Sequence, residues 1–158
     1  MASVMKGLVE YSGLADIFPK DPECFKQLTV QEDLEIPSVK PDIEQIVRVI
    51  AEVVITDKYI IKTPVATSDE GQILTGWKLI VEGELRQKIE YVADEPTQSV
   101  HAAHFAVPFS TFIVLPENFS ENCIVNVVPY IEDIYVQQLD KRRLFKNVVL
   151  FLDATCCM

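Results

Sequence analysis

The sequence predicts an all-β fold, an antiparallel β-sandwich or jelly-roll-like domain with an extended N-terminal arm. Three observations carry this. Apolar residues recur at every second position over most of the chain beyond residue 46, the period of strands that bury one face. Turn chemistry separates the alternating runs, as in Ser68-Asp69-Glu70-Gly71 and Asp94-Glu95-Pro96-Thr97. No amphipathic stretch of three helical turns closes on a glycine.

Residues 1–35 read as a leader. Its short apolar groups, Leu8, Val9, Leu14, Ile17 and Phe18, are interrupted by Gly13, Pro19 and Pro22. It is too apolar for a solvated tail, so those five residues are the candidate assembly arm. The domain proper spans 36–153, followed by a cysteine-containing tail over 154–158, and deleting residues 1–30 is expected to leave it folded. Two prolines keep 36–42 extended, and Asp42–Ile46 either opens a short helix or leads into a strand. A strand from Val47 to Ile55 follows, with a second over Tyr59–Val65. The clearest strand covers 77–92. It sets Trp77, Leu79, Val81, Leu85, Ile89 and Tyr91 on one face and Lys78, Glu82, Glu84, Arg86, Lys88 and Glu90 on the other. Further strands cover Val100–Phe109, extending or restarting at Phe112–Leu115, Cys123–Val136 and Leu144–Leu152. Pro129 marks an edge or a bulge.

Composition narrows the function. The 158 residues carry a formal net charge of −10, which argues against nucleic acid or an anionic membrane as partner, since both need a cationic footprint. No run approaches the apolar length of a membrane span. The first residues lack an apolar signal core, so the chain is expected to be made in a cytosol. The sequence has no GxSxG, P-loop or GxGxxG motif. Its two histidines, His101 and His104, fall on opposite faces of a strand. Glu82 and Glu84 belong to a wet face. The expectation is no catalysis, no cofactor and no metal site. A small-molecule or carbohydrate-binding sandwich, using Trp77 and Tyr91 in a cleft, is a further alternative.

Two clusters invite a sharper reading. Lys141, Arg142, Arg143 and Lys146 place 4 of the 14 basic residues within six positions, a candidate docking patch for the acidic surface of another copy. Of the four cysteines, Cys123 reads as core. Cys24 in the leader and the vicinal Cys156 and Cys157 at the C-terminus are candidates for intermolecular disulfides, because adjacent cysteines bridge one another poorly. Idle thiols and metal capture are the alternatives.

The string Ile36-Pro37-Ser38-Val39-Lys40-Pro41-Asp42-Ile43-Glu44-Gln45-Ile46, followed by a strand, resembles the opening of the SPOCS domain. Leu85 to Asp94, Val100-His101 and Val107-Pro108-Phe109 resemble its middle. Val128 to Ile134 and the closing strand resemble its end, so the resemblance covers residues 34–153. It implies a protein of endospore-forming bacteria that acts by protein–protein interaction in spore-envelope assembly, without catalysis. The expectation is a self-assembling subunit of a spore coat, exosporium or surface fibre. It would be made in the mother cell and deposited on the spore, with itself and other coat proteins as partners. A mother-cell adaptor for another coat protein is the alternative.

Overall fold

Alternation of apolar and polar residues resolves into eight strands in the computed structural model, which describes residues 2–157 and only the backbone of Cys157. They are β1 (Ala2–Lys6), β2 (Val9–Leu14), β3 (Cys24–Glu35), β4 (Ile43–Thr67), β5 (Ile73–Ala93), β6 (Val100–Val114), β7 (Ile124–Gln138) and β8 (Arg143–Cys157). The protein is all-β, as its period-two patterning predicts. In β5 every second residue from Leu79 to Ala93 is buried, Gly83 and Gln87 included. Residues 42–46 form no helix, and Ile43 opens β4. The two strands expected over 47–65 are one continuous strand. Nothing between Ile55 and Tyr59 turns the chain, and a bulge between Ile55 and Asp57 absorbs the irregularity.

The strands form a five-stranded sheet, ordered β1-β2-β4-β5-β6, and a three-stranded sheet, ordered β3-β8-β7. Pairing is antiparallel except between β2 and β4, which run parallel over three residue pairs, Glu10–Arg48 to Ser12–Ile50. Pro108 and Pro129 lie within β6 and β7. Both strands are sheet edges, where a missing N–H costs no ladder bond. The inward rows of the two sheets make the main core, including Val49, Ala51, Leu85, Ile89 and Tyr91 from one and Ile134, Leu144, Val148 and Leu150 from the other. Each large aliphatic side chain among them contributes about 1.5–3 kcal/mol through burial. A smaller cluster at one end gathers Leu79, Ile113, Phe119, Leu152, Cys24 and Cys123.

The leader boundary near residue 35 does not survive. Residues 24–35 form β3, which pairs with β8 at every position from Cys24–Ala154 to Glu35–Arg143. Val30 and Leu34 are in the core. Removing residues 1–30 would take more than half of this strand, so that truncation is expected to unfold the sheet. At the other end, residues 154–157 continue β8, with Ala154 buried. Both boundaries were misplaced for one reason. β3 and β8 are partners from opposite ends of the chain, and such pairing leaves no local signal.

Candidate functional site

The assembly arm is a hairpin folded onto its own domain. β1 pairs with β2, and β2 lies against β4. Val9 and Leu14 pack against the main core. Leu8 and Ile17 are 75% and 79% exposed. Phe18 crosses the outer face of the smaller sheet, its ring 5.7 Å from Tyr130 and 6.2 Å from Phe151. The anchor of the hairpin is a residue outside the expected set. Tyr11 is 2% exposed, and its hydroxyl donates to the Val136 carbonyl and accepts from the Val136 N–H, both at 3.2 Å. The alternation Val9-Glu10-Tyr11 was the available signal.

The basic cluster is not a free patch, because each member is spent within the chain. Lys141 pairs with Asp94 at 2.6 Å. Arg142 is a clamp. Its Nη1 donates to the Lys40 carbonyl (3.1 Å) and Asp42 Oδ1 (2.8 Å), and its Nη2 to the carbonyls of Ile36 (3.1 Å) and Pro37 (2.8 Å). The extended 36–42 segment is thereby stapled to the start of β8. Arg143 pairs with Asp140 at 2.6 Å. The Asp140 carboxyl is lowered to about 2 by the Arg142 backbone N–H, the Arg143 guanidinium and the Arg143 backbone N–H.

Lys146 departs furthest from expectation. It occupies the inward row of β8 between Leu144 and Val148, its side chain 0% exposed, with Glu32 Oε2 3.3 Å away. Neither atom meets hydrogen-bond geometry. Burial pushes the ammonium below its usual range, against the opposing pull of Glu32. A lysine depressed in the fold weighs most on stability while protonated, and the penalty fades as pH rises through its folded value towards the unfolded one. Replacing a buried ion pair with apolar groups is often neutral or stabilising. The double variant Lys146→Met with Glu32→Leu is therefore expected to hold or raise the urea midpoint and to flatten its rise between neutral and alkaline pH. Glu32→Leu, which strands the ammonium, should lower the midpoint.

Three cysteines converge at the end of the sandwich. Cys24, Cys123 and Cys156 line one cavity of about 410 Å³, together with Asp153 and residues 19–23. Cys24 and Cys123 are buried and Cys156 is exposed, so Cys24 is not presented to other chains as its leader position suggested. Burial, then the charges of Glu23 and Asp153, push the Cys24 thiol up. The side chain of Cys157 lies outside the described residues.

The sheet edges are the remaining surfaces. β1 and β6 bound opposite sides of the five-stranded sheet. In β1, Val4 and Met5 are 40% and 60% exposed. β6 runs for 15 residues without a carboxylate, lysine or arginine. Beyond the sheet, the β4–β5 hairpin carries exposed Tyr59, Val65 and Ile73. No group of three metal-ligating side chains occurs among the described residues. His101 sits 3.0 Å from Ser99 Oγ and stacks on Tyr91, while His104 faces solvent. Tyr91 is fully buried and Trp77 half-buried against Phe119, so the two aromatics that a ligand-binding cleft would need are packing residues, as their place on the apolar face predicts.

Residues 42–139, more than half of the chain, match the family model described as SipL, SPOCS domain. No curated protein and no solved structure matches the chain.

Proposed function

We propose that this chain, which belongs to the SPOCS domain family, is a non-enzymatic structural subunit that builds a spore outer layer by head-to-tail self-association. Family membership carries the sporulation-related role. One observation carries the mode of association. The five-stranded sheet ends on both sides in strands whose outer edges have no strand partner among the described residues, β1 and β6. Unpaired edges template pairing with another chain. Pairing β1 of one copy with β6 of the next joins two different edges, and such a contact does not close on itself unless the rotation between copies forms a ring. The net charge of −10 makes copies repel. They repel least at β6, the long edge without ionised carboxylates. Cys156, at the surface, and Cys157 would then cross-link neighbours once the layer meets an oxidising exterior. In this reading the protein is made in the mother cell and deposited on the spore surface.

Negative-stain electron microscopy of purified chain, with non-reducing gels, tests this. Ordered assemblies are expected from the intact chain. They should be lost in a variant lacking residues 1–8, which keeps Tyr11, and in Ala106→Lys, which places a charge on the outer face of the β6 edge. Intact chain that stays monomeric with or without oxidant would refute it.

A second reading, an adaptor for another coat protein, draws on the exposed apolar side chains of the β4–β5 hairpin. A pull-down from sporulating cells that returns one partner at fixed stoichiometry, and loses it on Tyr59→Ser with Val65→Ser, would favour that reading.

A further inference from the structure

The pairing register puts two thiols within reach of each other. Cys24 opens β3 opposite Ala154, and Cys156 lies two residues further along β8. Residues two apart share a face of a strand, so the two cysteines are diagonal neighbours on adjacent strands. Cys24 and Cys156 line the same cavity, and they are not disulfide-linked to each other. Diagonal neighbours stand about 7–8 Å apart and a disulfide needs Cα atoms about 4.4–6.8 Å apart, so a shift of about 1–2 Å at the end of β8 closes the gap. Cys24 begins an edge strand after residues 19–23, which form no strand. Cys123, by contrast, is held in a turn by its N–H to the Ser120 carbonyl at 2.9 Å. The cavity also has a carboxylate residue on its wall. Asp153 is 7% exposed, borders it, and its Oδ1 has no hydrogen-bond partner in the protein.

We propose that this cavity is a thiol–disulfide exchange site, in which Cys156 reacts with low-molecular-weight disulfides and Cys24 resolves the product into an intrachain Cys24–Cys156 bond. In the first step the Cys156 thiolate attacks one sulfur of the small disulfide. A mixed disulfide forms, the original S–S bond breaks, and one small thiolate leaves and takes a proton. In the second step Cys24 loses its proton to solvent and its sulfur attacks Cys156 Sγ. The mixed disulfide breaks and a second small thiol leaves. Two protein thiols are oxidised and one small disulfide is reduced to two thiols. The exposed cysteine is the one attacked first, because access and thiolate character set the rate. The bond ties the first residue of β3 to the end of β8, and withholds Cys156 from cross-links to other chains.

This site goes beyond assembly and does not require it, since the probe is a small molecule acting on one chain. The test is oxidised glutathione added to the folded protein in a Cys157→Ser background, which removes the competing neighbour. Intact mass is expected to fall by two hydrogens with no retained glutathione. Peptide mapping should place the bond between Cys24 and Cys156. Cys24→Ser should instead hold a glutathione adduct on Cys156, with a lifetime longer by about tenfold or more. Should Cys24→Ser fail to fold, differential alkylation of the Cys157→Ser chain before and after oxidation reads the same pairing. A persistent adduct with Cys24 still open to alkylation, or a bond from Cys156 to Cys123, would overturn the proposal.

Discussion

Gly13→Ala is expected to lower the melting temperature by about 6–12 °C, the equivalent of about 2–4 kcal/mol for a domain of this size. Two causes act together. Gly13 has φ +116°, a conformation closed to residues with a side chain. A Cβ there would also stand 2.1 Å from the Ala51 carbonyl oxygen, a backbone atom that cannot swing aside. Relief requires β2 to lift from β4, with which it shares three parallel pairs. Calorimetry gives the melting temperature, and hydrogen exchange locates the damage. Loss of protection should be largest in residues 9–14 and at Val136, where Tyr11 docks. Gly7→Ala, with open space around its Cβ position, should cost distinctly less.

Arg142→Leu is expected to destabilise by about 2–4 kcal/mol, because it strands backbone carbonyls and a carboxylate that share one guanidinium. The ion pair with Asp42 is a minor part, since both side chains are partly in water. The main loss is the fork across the carbonyls of Ile36, Pro37 and Lys40. Arg142→Lys should recover less than half of it, because an ammonium cannot span that geometry. Asp42→Asn should cost under about 1 kcal/mol. Urea unfolding of the three variants checks the order.

That clamp explains part of what the sequence disclosed and part of what it hid. The 36–46 string carried the family resemblance, and in the fold it is a receptor for Arg142. Tyr91, whose hydroxyl donates to the Pro41 carbonyl at 2.8 Å, holds it from the other side. The string reads as a motif because its backbone carbonyls must be presented in one shape. Its partner, Arg142, looked like surface charge because it lies among other basic residues a hundred positions away.

Lys146 is hidden in a similar way. Strict alternation through Leu144, Lys146, Val148 and Leu150 places it inside, but its company with Lys141, Arg142 and Arg143 argued for solvent. The pattern was the better guide. β5 is legible from Trp77 onward, where an apolar row alternates with a mostly charged one. β3 is not. Its inward row, Cys24, Lys26, Leu28, Val30, Glu32 and Leu34, mixes apolar and charged residues, and the strand that completes it lies at the far end of the chain. The cysteine cavity was invisible for the same reason. Proximity of Cys24 to Cys156 follows from sheet order, and spacing in the sequence does not carry sheet order.

Assembly as proposed depends on β1 as an intermolecular edge seated on a self-contained domain. Sedimentation velocity of the reduced protein, over a range of concentrations, addresses it without help from disulfides. Intact chain should give a series of species growing beyond the dimer as concentration rises, and the chain lacking residues 1–8 should give one monomer peak throughout. A single monomer peak for both proteins at every concentration would contradict it.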